Sequence, residues 1–208
     1  MKQAYFITGT DTGVGKTYVA CKLIQQFISQ GYKVIGMKPV AAGVDFVDGK
    51  WVNEDVVKLE AASNVKASRE LINPYSLNEP IAPHIAAEKT GVEIEIEVIR
   101  QAFNQLAKMA DIVIVEGAGG FLVPLSEQKT MADLAVALNI PIVLVVGMKL
   151  GCINHTLLTV EAIKARQLKL HGWVANQLSP DMLALEENLA AITQNTHMAC
   201  LENYLYKR

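Results

Sequence analysis

Gly9-Thr10-Asp11-Thr12-Gly13-Val14-Gly15-Lys16-Thr17 follows a short apolar run, Ala4-Tyr5-Phe6-Ile7, and opens an amphipathic stretch. A strand, a glycine-rich turn and a helix start in that order make a phosphate-binding loop. Its backbone N–H groups converge on phosphate oxygens, the lysine reaches the outer phosphates, and the hydroxyl after it holds a divalent cation. The spacing is not strict: Gly-x4-Gly-Lys-Ser/Thr puts glycine at position 10, where this chain has Thr10, and Gly9 lies one residue early. The bland alternative is a glycine-rich turn, but the tail Gly15-Lys16-Thr17 is intact. The dinucleotide pattern Gly-x-Gly-x-x-Gly fails at Tyr18, which disfavours a nicotinamide cofactor.

Outward from the loop, the apolar pattern alternates between buried strands and amphipathic helices. Residues 3–8 read as the first strand. The next helix carries Val19, Leu23, Ile24, Phe27 and Ile28 on one face before Gly31 ends it. Further strands are expected at 33–38, 111–116, 142–146 and 172–176, the last clear strand, and helices at 54–62, 93–109, 131–138, 154–166 and 182–192. Between them, Asn73-Pro74-Tyr75 and Glu79-Pro80-Ile81-Ala82-Pro83-His84 form a proline-punctuated passage, either a surface connector or a substrate wall. Such alternation predicts an α/β fold, a parallel sheet with helices on both faces, with the chemically loaded loops gathered at the carboxyl ends of the strands.

The chain has 208 residues and is 51% hydrophobic, enough to bury the core of one domain spanning 1–208. Its 19 Lys and Arg against 21 Asp and Glu leave a formal charge of −2, so no basic field argues for nucleic acid or an anionic membrane. Residues 140–148, the longest apolar run, contain Pro141 and reach about half of the roughly 20 residues a membrane helix needs. Cys21, Cys152 and Cys200 are scattered without metal-ligand spacing, and no signal-peptide pattern opens the chain, so a reduced cytoplasmic location is expected.

Several residues could carry chemistry. Glu116 closes a run of β-branched residues before Gly117-Ala118-Gly119-Gly120 and can meet a cation held at Thr17; the alternative is a turn acid. Asp55, in Asn53-Glu54-Asp55, is equally well explained as a first-turn acid favoured by the helix dipole. Lys38 ends a strand before Pro39 and is either a solvated lysine or a second cation for a transferring phosphoryl group. Thr12 adds a hydroxyl within the loop. Gly151-Cys152-Ile153-Asn154-His155 opens a helix whose N–H groups suit a carboxylate or phosphate. Cys152 and His155 lack a third residue to orient them and do not read as a nucleophile and base, and His84, His171 and His197 show no ligand spacing.

In order along residues 3–177, these pieces resemble the dethiobiotin synthetases. The resemblance runs through the 9–17 loop, Lys38-Pro39-Val40, Asn73-Pro74-Tyr75, Glu79-Pro80 with Pro83-His84, and Glu116-Gly117-Ala118-Gly119-Gly120. It continues through Val145-Val146-Gly147-Met148-Lys149-Leu150 into Gly151–His155, and Gly172-Trp173-Val174-Ala175-Asn176. It implies a phosphate-loop fold and an ATP-dependent ligase that joins 7,8-diaminopelargonate and CO2 into dethiobiotin with release of ADP and phosphate. It also implies Mg²⁺ on Thr17, Asp55 and Glu116, with Lys16 and Lys38 as the catalytic lysines. Gly13, Val14, Gly15, Lys16, Thr17 and Tyr18 would surround the phosphates, and Asp55, Glu116, Gly117, Ala118 and Gly119 would line the nucleotide site. Asn176 would recognise the adenine edge with Gln177 alongside. Thr12, Lys38 and Ala42 would meet the diamine substrate. Gly151, Cys152, Ile153 and Asn154 would receive its carboxylate across the boundary of a homodimer.

Three features depart from the family pattern. Gly13 stands where glutamate is frequent, and Ala42 where a Ser or Thr hydroxyl often touches substrate. The tail reads Cys200-Leu201-Glu202-Asn203-Tyr204-Leu205 instead of a Pro-Trp-Leu type segment. Two other readings remain open: a nucleotide-dependent switch or partitioning ATPase, which commonly has a further lysine early in the loop where Thr10, Asp11 and Thr12 stand, and an amidoligase. The amidoligase would need a glutamine-handling domain for which 208 residues leave no room.

Overall fold

The computed structural model describes residues 3–47 and 50–204. The chain opens with β1 (Gln3–Gly9), α1 (Lys16–Ser29), β2 (Val34–Met37), β3 (Val40–Ala42), β4 (Asp45–Val47), β5 (Lys50–Val52), α2 (Glu54–Ala62), α3 (Arg69–Ile72) and β6 (Tyr75–Leu77). It continues with α4 (Pro83–Thr90), α5 (Ile96–Met109), β7 (Ile112–Gly120), α6 (Met131–Leu138), β8 (Ile142–Met148), α7 (Cys152–Ala165), β9 (Leu170–Gln177), α8 (Leu185–Thr196) and β10 (Cys200–Tyr204). Six strands pair in parallel in the order β10-β9-β8-β1-β7-β2, so the order runs away from β1 on both sides and the phosphate loop stands where it diverges.

Both faces of this sheet are covered, which explains the near-continuous apolar runs of its strands. Ile7, Ile114, Val143 and Val145 pack with Val19 and Ile24 of α1 and Leu59 of α2 on one face. Phe6, Val113 and Val115 turn to the other face and meet Ile99, Phe103 and Leu106 of α5 and Leu134 of α6. Farther along that face, Leu144, Val146 and Trp173 pack with Val160 of α7 and Ile192 of α8. Burying each such side chain contributes about 1.5–3 kcal/mol, so the layers are held chiefly by these alternate faces of the strands. No helix among the described residues is long and apolar enough to cross a membrane.

Helices α2 and α6 occupy the expected 54–62 and 131–138. Elsewhere the structure corrects the sequence reading. β7 does not stop at Glu116; it runs on through the glycines, and Gly120 pairs with Gly9 of β1. The passage 73–84 is not wholly irregular: β6 adds to β3, and Pro83 starts α4, where its missing N–H costs nothing at a helix N-terminus. α8 lies a turn beyond the expected 182–192, and a sixth sheet strand, β10, follows the supposed last one. β10 lies close on β9 because Gly172 has no side chain: a Cβ there would meet Leu201 Cγ at 2.5 Å. Of the tail segment, Leu205 lies outside the described residues.

Candidate functional site

The loop between β1 and α1 is shaped by glycines in conformations that other residues adopt at a cost: Gly13 has φ 73° and Gly15 φ 89°. Gly15 also has no room for a side chain, since a Cβ there would lie 2.2 Å from Asn176 Nδ2. Val14 between them is fully buried and pins the loop from beneath. α1 begins with Gly15 as its cap and no side chain hydrogen-bonded there, so its first N–H groups face outward for an anion. Lys16 folds back under the loop, where its Nζ donates to the Asp11 carbonyl at 3.0 Å. Burial first, and the charge of Lys38 second, push its pKa down to about 8.

Lys38 leaves the end of β2 in a fixed pose. Its N–H donates to Ile72 O at 2.8 Å and its carbonyl accepts from Asn73 Nδ2 at 2.6 Å. Its ammonium is buried between two carboxylates, 2.6 Å from Glu116 Oε1 and 3.0 Å from Asp55 Oδ2. Burial alone would lower the pKa of Lys38, but Glu116 and Asp55 together outweigh it and hold it above the ordinary lysine value. Asp55 stands in the first turn of α2, whose cap is Asn53: Oδ1 accepts from the Val56 N–H and Nδ2 donates to Gly43 O. Burial pushes the Asp55 carboxyl up, but Lys38 and the Thr17 hydroxyl more than reverse this and leave it below the ordinary value.

Glu116 is fully buried in β7, opposite Ile7 of β1. Its Oε1 accepts from the Thr17 hydroxyl at 2.8 Å as well as from Lys38. Its Oε2 is buried with no hydrogen-bond partner among the described residues. An unpaired carboxylate oxygen in the interior is costly. Beside Thr17 Oγ1 and the Asp55 carboxylate, it completes a set of oxygen donors of the kind a hard divalent cation takes.

These groups open onto one cleft of about 730 Å³. Of the residues singled out in the sequence, Thr12, Gly13, Gly15, Lys16, Thr17, Tyr18, Lys38, Ala42, Asp55, Glu116, Ala118 and Gly119 line it. The structure also brings in Lys58, Pro80, Ile81, Ala82, Pro83, Val123 and Pro124. The proline-punctuated passage is therefore a wall of the cleft. Lys58 follows Asp55 by one helical turn's reach, a signal that spacing could have carried. Val14 and Gly117 do not line the cleft.

Asn176 sits beside the loop, its Nδ2 donating to Val14 O at 2.9 Å, and Gln177 follows at the end of β9. Gly151, Cys152, Ile153 and Asn154 are not brought to the cleft of this chain. Gly151 is an exposed cap of α7 with φ 90°; the Cys152 thiol is buried in the core, 3.6 Å from Asn188 Oδ1, and its N–H donates to Lys149 O at 3.0 Å, while Asn154 is exposed. Lys149, just before that helix, pairs with Asp11 of the loop at 2.9 Å.

A family model described as an AAA domain matches residues 3–204. An ATP-dependent dethiobiotin synthetase BioD of Nitrosospira multiformis is 57% identical over 194 residues, covering 93% of this chain and 84% of the relative. That of Aromatoleum aromaticum is 54% identical over 190 residues, covering 91% and 84%. Among solved structures, a ParA family ATPase of Chlorobium tepidum superposes over all of this chain and 86% of its own with a TM-score of 0.58 at 14% identity. The septum site-determining protein MinD of Pyrococcus horikoshii, complexed with Mg-ADP, does so over 92% and 78%, also at 0.58 and 14%. At such low identity these two show a shared fold and nothing more.

Proposed function

The chain belongs to the ATP-dependent dethiobiotin synthetases, and from that premise we propose which of its residues carry the reaction. The enzyme is a ligase of biotin biosynthesis that consumes ATP, and no switch role needs to be invoked. The observation that supports the residue roles best is the convergence of Lys16, Lys38, Thr17, Asp55 and Glu116 in one cleft behind an anion-binding helix start.

One amine of 7,8-diaminopelargonate takes up CO2 and loses a proton to become a carbamate. A carbamate oxygen then bonds to the γ-phosphorus as the bond to ADP breaks. Finally the second amine attacks the carbamoyl carbon, phosphate leaves with the bonding pair and takes up the proton the amine sheds, and the ring closes. Carbamate and triphosphate are both anionic, so their approach needs fixed positive charge in a water-poor site. Lys16 and the loop N–H groups hold the phosphates, and Thr12, Lys38 and Ala42 meet the diamine. Lys38, which here neutralises Glu116 and Asp55, turns to the carbamate once those carboxylates are neutralised otherwise. Thr17, Asp55 and Glu116 would hold Mg²⁺, which supplies charge compensation on the phosphate oxygens.

The substrate's carboxylate is assigned to the N–H groups at Gly151–Asn154 of a second copy. The exposed start of α7, outside the cleft of its own chain, supports a homodimer of this kind. Asn176 and Gln177 are assigned to the adenine end. Residues 1–208 are taken as one catalytic domain, placed in the cytoplasm in keeping with free Cys21, Cys152 and Cys200. The test is ADP release followed with and without the diamine and bicarbonate. Release that requires both is expected; release indifferent to the diamine would remove the assignment.

A further inference from the structure

On the ATP-site reading above, a chain of phosphates lies in the cleft beside Thr17, so the balance of charge in that cleft matters. Its lining carries three lysines, Lys16, Lys38 and Lys58, against two carboxylates, Asp55 and Glu116. Lys38 is bound to both carboxylates and Lys16 to a carbonyl, and without Lys58 the formal charges of the lining would cancel. Lys58 keeps its charge outside that buried network. Its Nζ lies 2.6 Å from Glu54 Oε1, one helical turn back on α2, and the two side chains are 52% and 75% exposed. Glu54 holds the ammonium above its ordinary pKa, with the charge of Asp55 adding to the effect. Glu54 itself belongs to a neighbouring hollow with Asp45 and Asn53, and Asp55 borders both spaces. On the other side, the charge of Lys58 reaches Cys21, one turn after Thr17 on α1, and opposes the upward push that burial and Glu116 give its thiol.

An exposed ion pair contributes little and is readily exchanged for another anion. We propose that Lys58 is a phosphate-binding residue of this chain, paired with Glu54 in the free protein and with a phosphate oxygen of the nucleotide in the complex. Its long stem and three donors suit a point-charge contact made after the nucleotide has settled on the loop. One turn of α2 then serves both signs of charge in the cleft: Asp55 is the anion for a cation, and Lys58 the cation for the anions. The pair with Glu54 keeps Lys58 away from Lys38, which already has its carboxylates, until an anion arrives.

The plainer role is an i,i+4 pair that steadies α2. The two roles differ in what the partner substitution does. Lys58→Met and Glu54→Gln both break the pair, so a merely structural lysine gives the same change in each; a phosphate-binding lysine is lost in the first and released in the second. Dissociation constants of ADP and of inorganic tripolyphosphate are measured by calorimetry, with urea unfolding as the control for stability. Lys58→Met is expected to weaken both ligands about three- to fivefold, the size of a half-exposed ion pair, and Lys58→Arg to stay within about twofold. Glu54→Gln should bind both as tightly as the unaltered protein or up to about threefold more tightly. Binding by Lys58→Met should also fall less steeply with added salt. Unchanged affinity in Lys58→Met, or a loss of affinity in Glu54→Gln, overturns the role of Lys58 alone. Failure of the unaltered protein to bind ADP or tripolyphosphate would instead overturn the ATP-site reading on which it rests.

Discussion

Lys16 and Lys38 stand on the same edge of one sheet, both buried, in opposite electrostatic surroundings. Lys16 is held by a single carbonyl and its charge is disfavoured, so its pKa sits near 8. Lys38 is clamped between two carboxylates that more than offset its burial. One cation is short of an anion and the other already has two. A buried lysine is thus a ligand detector where no carboxylate meets it, and a structural brace where carboxylates do.

The largest expected difference is in stability. Lys38→Met strands the buried Glu116, while the partly exposed Asp55 can turn to water, and should cost about 3–5 kcal/mol in urea unfolding of the free protein, the usual cost of removing one partner of a buried pair. Lys16→Met removes a charge that burial disfavours and should cost nothing or stabilise. Equal losses would erase the contrast. In activity the two converge: Lys16→Ala and Lys38→Ala should each lower ATP-dependent ring closure about 10²–10³-fold, the effect of removing one donor to a transition-state charge. They should part in binding, with Lys16→Ala weakening ADP and Lys38→Ala leaving it nearly intact; calorimetry on the two variants checks this.

The smallest effect is the one most specific to Lys16. Its folded pKa is depressed from an ordinary 10.5 to about 8, so between those values the unfolded chain binds the extra proton. Stability of the free protein should therefore rise from pH 8 toward 10.5, and this contribution is lost as pH falls through about 8. ATP affinity runs the other way, falling up to about tenfold per pH unit above about 8, because the phosphates need the charged ammonium. Calorimetry in buffers of different ionisation heat should show proton uptake on binding above pH 8. Its absence would mean that Lys16 is charged throughout and no different from Lys38.

Much of this was legible in the sequence, for reasons particular residues make plain. Ile112–Val115 and Ile142–Val146 are buried on both faces of a parallel sheet, so their unbroken apolar runs could be read directly. β10 was not legible: Glu202 and Asn203 are exposed on an edge strand, where alternation carries little signal. The end of β7 was misjudged because a glycine run reads as a breaker, yet Gly120 pairs beside Gly9, where neither residue has a side chain. Asp55 satisfied two explanations at once, and the structure keeps both: it is a first-turn acid and it meets Lys38. Val123 and Pro124 enter the site only through tertiary placement, which no local pattern encodes, whereas the prolines of 80–83 left connector and wall both open until the fold placed them.

The register of β1 bears on how the molecule comes into being. Among the described residues this strand is flanked in the finished sheet by β7 and β8, both made far later than it is. Non-local parallel pairing of that kind imposes loop-closure entropy before any contact rewards it, and so slows folding. The loop that begins at Gly9 therefore has no template until most of the polypeptide exists, and a nascent chain halted before Ile112 carries the nucleotide motif in its sequence with nothing to hold it in shape.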